Sequence, residues 1–288
     1  MEEKHRKRQH FVPNFYFNYF LSENKNLITW DRVENKMYPV NTHNICVEND
    51  LYEIKCEKND NLINEYILDN KIEKFFSEIE ETVSCILKRI IRSVRNGYGV
   101  IFSKYDRMIL IKFIAIQYLR HPKMIKNTLK MYEGVENEKN VKALLDAISE
   151  YWDSSKLGSL NNLFEYSKLS GIFEMDLPGS PLYVEYNKIS NMKITFLLSE
   201  DERFIASSFP LIIDSVDGEE KDLIILPISK DVACVLTSKR SIDIEEGFVK
   251  KVNSQFVIET NKEYLNYDVN LARWIIANNE EDILKIKS

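Results

Sequence analysis

The sequence predicts an α+β fold, with a helical middle set between a small N-terminal β element and C-terminal antiparallel or mixed strands. Three observations carry this. The stretch "NLITWDRVENKMYPV" alternates apolar and polar residues on both sides of Glu34-Asn35-Lys36, which is hairpin chemistry. Residues 70–151 repeat their apolar positions at helical spacing. The runs "ITFLLS", "PLIIDS", "DLIILPIS" and "VACVLTS" then follow a stretch punctuated by Gly158, Gly171, Pro178, Gly179 and Pro181. Strands segregated from helices argue against an alternating α/β sheet.

The N-terminal element opens on "QHFVPNFYFN" directly after the basic run "KHRKRQH". Four aromatics in ten residues are too much apolar surface for a disordered leader, so this segment should dock and set His10 in a wall of the protein. Helices are expected over Asn70–Ser93, Lys104–Arg120 and Lys126–Tyr151. The second is apolar almost all round and ends before Pro122, because the residue preceding a proline avoids the α region. A closing helix is expected over Glu263–Ala277. The chain is therefore read as a single α+β domain, 1–288. Residues 1–60 form the docked segment and hairpin, 61–155 the helical core, 190–240 the strands and 260–288 the closing helix.

Of 288 residues, 44% are hydrophobic and 29% charged, enough for a full core. A net charge of −6 leaves no global footprint for unselective nucleic-acid binding, so only local basic patches remain. No signal peptide is visible. The most apolar run, Met108–Leu119, is too short to span a bilayer and contains Lys112, so the chain reads as cytoplasmic with no membrane partner. Cys46, Cys56, Cys85 and Cys234 contain no CxxC pair and suggest reduced thiols rather than a zinc site. The stretch "NGYGVIF" lacks both the third glycine of a dinucleotide fingerprint and the GK[ST] of a P-loop. The excess of Lys, Asn, Ile and Tyr resembles a low-GC bacterial genome.

The informative residues are polar ones on apolar faces. Turned at about 100° per residue, the first helix buries Phe76, Ile79, Val83 and Leu87, and places Glu73 and Glu80 at the edge of that arc. A half-buried carboxylate is costly unless paired, and is either a structural ion pair or a group with work to do. On the second helix Gln117 and Arg120 share the face of Ile109 and Phe113. A guanidinium cannot neutralise itself there, so it needs an internal carboxylate, for which Glu80 is the natural candidate, or an external anion. His10, alone on an apolar wall, is a structural residue or a proton-transfer group. His121 points off the Gln117–Arg120 face and reads as a surface histidine; His5 and His43 are given no role.

The same residues carry a family resemblance. "QHFVPNFYFNYF" resembles the KHHxVPxxYLxxF opening of the DUF (domain of unknown function) family 4238. The pieces "VENDLYEI", "IEKFFSEIEE", "FIAIQYLRHP", "LPIS" and "YLNYDVNLARWIIA" follow in the family's order over nearly the whole chain. The resemblance implies a polar signature at His10, Glu80, Gln117, Arg120 and Asn266 and names no reaction. One block departs: "FLLSEDERF" keeps Ser199 but has Glu200 and no proline where members carry Ser-Asp-Asn-Pro.

Two functions follow as expectations. In the first, the protein is a hydrolase of a phosphate-containing substrate, a nuclease of bacterial defence being the specific case. His10, Glu80, Arg120 and Glu200 would be catalytic and Gln117, Ser199 and Asn266 would bind substrate, which would be a nucleic acid or nucleotide. Glu80 and Glu200 would hold Mg²⁺ or Mn²⁺. In the second, it is a non-catalytic binding or regulatory module whose buried polar network fixes the N-terminal segment to the helices.

Overall fold

The computed structural model describes residues 8–22, 26–52, 71–132, 165, 167–214, 222–238 and 245–288. The elements in chain order are β1 (Arg8–His10), α1 (Asn14–Phe17), β2 (Leu27–Asp31), β3 (Lys36–Val40), β4 (Val47–Asn49), α2 (Lys71–Arg95), α3 (Lys104–Leu119), α4 (Pro122–Tyr132) and α5 (Pro181–Ser190). There follow β5 (Lys193–Ser199), β6 (Ala206–Ser207), β7 (Ile212–Asp214), β8 (Leu223–Pro227), β9 (Val232–Thr237), β10 (Val249–Val252), α6 (Ser254–Lys262), β11 (Trp274–Ala277) and α7 (Glu280–Lys287). The fold is α+β. Residues 1–7 of the basic leader, residues 133–151 of the third expected helix and Gly158 lie outside the described residues.

The chain divides into two compact units, one of Met1–Gln9, Glu48–Glu78 and Pro122–Val184, the other of His10–Val47, Ile79–His121 and Glu185–Ser288. In the first unit, Tyr52, Phe76 and Phe173 meet edge to face, with ring centroids 5.0 Å apart for Tyr52–Phe76 and 4.9 Å for Phe76–Phe173. The buried side-chain carbonyl of Gln9 accepts the Tyr52 N–H at 2.7 Å, which satisfies a donor with no water to turn to. Pro122 opens α4 at the first helical position, where a missing N–H costs nothing.

Among the described residues the second unit holds two sheets. A five-stranded sheet runs β10-β5-β9-β8-β7, antiparallel except for the parallel β10–β5 edge. A four-stranded antiparallel sheet runs β3-β2-β11-β6. The expected hairpin is there, pairing Leu27 with Val40 through Asp31 with Lys36. Its turn starts earlier than the sequence suggested, at Asp31, whose Oδ1 accepts the N–H groups of Val33 (2.9 Å) and Glu34 (3.1 Å). Asn35 supplies the left-handed step with φ 50°.

The expected closing helix over Glu263–Ala277 is not formed. A 3₁₀ turn, Glu263–Asn266, is followed by a loop in which Asp268 Oδ1 accepts the Asn270 N–H at 2.9 Å, and Trp274–Ala277 is a central strand between β2 and β6. Ile275, Ile276 and Ala277 are all fully buried, because both edges of that strand are paired and both faces covered; helical periodicity cannot be told from such a run. The terminal helix is α7 instead, capped by Asn279, whose side chain accepts the Asp282 N–H. Pro181, expected in a loop, opens α5.

The opening segment is docked. Phe11, Val12, Tyr16, Phe17 and Phe20 are buried, and the Tyr16 hydroxyl donates to the Pro227 carbonyl at 2.6 Å. Phe11 stacks on Trp274 at 6.2 Å, Phe15 meets Phe113 at 6.1 Å, and Asn278 Nδ2 donates to the Phe20 carbonyl at 3.1 Å.

Candidate functional site

Arg120 is the centre of the site. The helix α3 begins at Ser103, whose hydroxyl accepts the Asp106 N–H while Asp106 reaches back to the Ser103 N–H, a reciprocal cap. Nine of its residues from Ile109 to Leu119 are buried, and Arg120 follows as the C-cap, its N–H bonded to the Ile116 carbonyl at 2.8 Å. The guanidinium is 2% exposed. Its Nη1 donates to Glu80 Oε1 at 2.7 Å, and its Nη2 donates to the main-chain carbonyl of His10. Glu80 comes from the middle of α2 and keeps 24% of its side chain exposed, so the pair is closed on the arginine side and open to solvent on the carboxylate side. The three chain segments are thereby tied to one planar cation.

Gln117 lies one turn before Arg120 on the same helix and is 1% exposed. Neither its Nε2 nor its Oε1 has a hydrogen-bond partner among the described residues, which is costly for a buried amide. His121 is not on the surface as expected. It is 5% exposed, edge-on to Phe11 at 5.2 Å and to Phe209 at 6.1 Å. The helical projection that pointed it outward stops applying where α3 ends at Leu119, and the chain there turns the ring into the aromatic wall.

The other residues of the expected site are engaged elsewhere. Ser199, at the end of β5, is buried; its Oγ donates to the Glu202 carbonyl at 2.8 Å and so closes the turn that departs from the family pattern. Glu200 projects from that turn, exposed, to Lys251 Nζ at 2.5 Å. Asn266 is on an exposed turn and donates from Nδ2 to Glu263 Oε2 at 2.7 Å. Among the described residues no three His, Cys, Asp or Glu side chains gather where they could hold a metal ion.

In the stretch "YLNYDVNLARWIIA" the group that organises the backbone is Arg32, which sequence reasoning passed over. Its Nη1 donates to the carbonyls of Tyr264 (3.0 Å) and Ala272 (3.2 Å), and its Nη2 to that of Leu265 (3.0 Å). Next to it Asp31, 3% exposed, is held by Arg273 Nη2 at 2.8 Å and Trp274 Nε1 at 3.2 Å. Burial acts to raise its carboxyl, but Arg273 and the N–H groups of Glu34 and Val33 together hold it below the usual carboxylate range. A buried Asp in a strand was the available signal, since the inward positions of β2 are Leu27, Thr29 and Asp31.

A second polar cluster was also missed. Glu202 and Asp282 are 7% and 5% exposed; Lys285 Nζ holds both Glu202 oxygens at 2.9 and 2.8 Å, and Asp282 Oδ2 has no hydrogen-bond partner among the described residues. Burial, and then the Glu202 charge, push the Asp282 carboxyl up to about 6. The folded protein therefore retains a proton that the unfolded chain releases at lower pH, and stability falls as pH rises from about 4 through about 6. Asp282→Asn should raise stability by about 1–2 kcal/mol at neutral pH, the full linkage value being reduced for solvent screening. The gain should vanish near pH 4, and denaturant melts at the two pH values check it.

No helix among the described residues is long and apolar enough to cross a membrane. Comparison with curated proteins finds no match, and comparison with solved structures finds none. The family model described as a protein of unknown function, DUF4238, matches residues 8–281, so the chain belongs to that family.

Proposed function

We propose that this protein is a non-catalytic binding or regulatory module in which Arg120 locks the N-terminal segment onto the helical core. The observation that carries this is the closed state of Arg120: it is 2% exposed and both terminal nitrogens are already used, on Glu80 and on the His10 carbonyl. A guanidinium so committed has little left for an external phosphate. Ser199 serves its own turn and Glu200 a surface lysine, which also suits a scaffold role. The test is a thermal melt of the wild type and Arg120→Lys, with and without phosphate, nucleotides or oligonucleotides. On this reading Arg120→Lys loses stability by the same amount under every condition. A ligand-induced rise in melting temperature that the variant loses would overturn it.

The second reading is a phosphate-ester hydrolase of the bacterial cytoplasm, a nuclease being the specific case. It is favoured by the buried amide of Gln117, which has no hydrogen-bond partner among the described residues, one turn from the Arg120 that binds a Glu80 carboxylate still reaching solvent. Glu80 would then activate water and Gln117 would receive an oxygen of the substrate. Turnover of RNA, DNA or nucleotides with added Mg²⁺ or Mn²⁺, lost in Glu80→Gln, would favour this reading over the first.

A further inference from the structure

The loop between α2 and α3 presents apolar side chains to solvent on a rigid support. Ile101 is 92% exposed and Tyr98 67%; on the first turns of α3 Tyr105 is 56% and Met108 41% exposed, and Phe248, 47% exposed, adjoins the loop's anchor point. Ile101 follows Val100, which is buried and whose N–H donates to the Gly247 carbonyl at 2.9 Å. Gly247 is at φ +80°, and a Cβ there would lie 2.0 Å from the Val100 carbonyl oxygen, so the two backbones are in direct contact. Tyr98 N–H donates back to the Ser93 carbonyl at 3.1 Å, Arg89 bridges to Asp106 at 2.7 Å, and Arg107 holds Glu246 and the Ser190 and Met192 carbonyls. The isoleucine is thus held out in water by a loop that is itself pinned.

The helix ends that flank the loop, joined by the Arg89–Asp106 bridge, carry charge. Lys88, Arg92 and Lys104 are exposed and make no ion pair among the described residues, whereas Asp106 and Glu246 are already neutralised by arginines. Among the described residues Glu245 is the one exposed acid beside Gly247 without such a partner, against three unpaired cations. We infer that this loop docks on an anionic lipid surface, with Ile101 entering the acyl boundary, Tyr98 and Tyr105 at headgroup level and Lys88, Arg92 and Lys104 on the anionic headgroups. An exposed aliphatic side chain accompanied by exposed tyrosines and unpaired cations on the adjoining helix ends matches the polarity profile of a bilayer interface. A single-stranded nucleic acid would stack on the tyrosines but gain nothing from Ile101 or Met108. The contact is superficial and needs no spanning segment.

Flotation of the full chain with phosphatidylcholine vesicles, alone or with about one-third phosphatidylserine, tests this. Binding is expected to the anionic vesicles only and to weaken with salt. Ile101→Asp should reduce the affinity about ten- to a hundred-fold, and Ile101→Ser should reduce it with no added charge. Lys88→Ala, Arg92→Ala and Lys104→Ala should each weaken binding about five-fold. All these side chains are exposed, so melting temperatures should not move, and a variant that melts as wild type yet no longer floats supports the docking. Absence of binding to the anionic vesicles, or equal binding by Ile101→Asp, would overturn it. So would a dimer in solution, or capture of single-stranded DNA, that depends on Ile101.

Discussion

Glu80→Gln is expected to cost about 3–5 kcal/mol, because it strands a guanidinium that is only 2% exposed. Arg120→Met should cost less than Glu80→Gln. The Glu80 side chain keeps 24% of its surface in water and can be solvated where it stands, whereas the bond to the His10 carbonyl is lost without replacement. The double variant Glu80→Gln with Arg120→Met should recover much of the loss, since a methionine can fill the guanidinium's space without demanding a counter-charge. Chemical denaturation of the two singles and the double gives the coupling directly. Additive effects would mean that the pair contributes nothing as a pair, and the lock on the N-terminal segment would have to be sought elsewhere.

The N-terminal segment should be indispensable to the fold. Phe17 is fully buried in the second unit, and Phe17→Ala should cost about 3–5 kcal/mol through lost burial and the cavity left behind. Removing residues 1–20 takes away Phe11, Val12, Tyr16, Phe17 and Phe20 together, each contributing about 1.5–3 kcal/mol when buried. The sum is comparable to the whole stability of an ordinary domain, about 5–15 kcal/mol. The truncated chain should therefore show no cooperative melt by circular dichroism, and an unchanged melting temperature would refute the structural role of the segment.

The sequence by itself determined those features that rest on local periodicity. The hairpin β2–β3, the amphipathic α2, the buried α3 and the strands from Lys193 to Thr237 follow from apolar spacing and turn residues. So does the inward placement of Gln117 and Arg120, because residues three apart on one helix share a face whatever surrounds it. The need of a buried arginine for a partner was likewise legible, and charge chemistry alone made Glu80 the candidate. What the partner contacts would be was a matter of distance in space. That Arg120 takes the main-chain carbonyl of His10 as well as Glu80, that Glu200 pairs with Lys251, and that Arg32 gathers the carbonyls of residues 264–272 depends on segments far apart in the chain. The strand Trp274–Ala277 makes the same point. A short run buried on both faces carries no period, so its identity is fixed by the two strands that donate and accept hydrogen bonds on either side of it. His121 turned inward for the related reason that face assignment ends with the helix, and beyond that point only packing against Phe11 and Phe209 decides where a side chain goes.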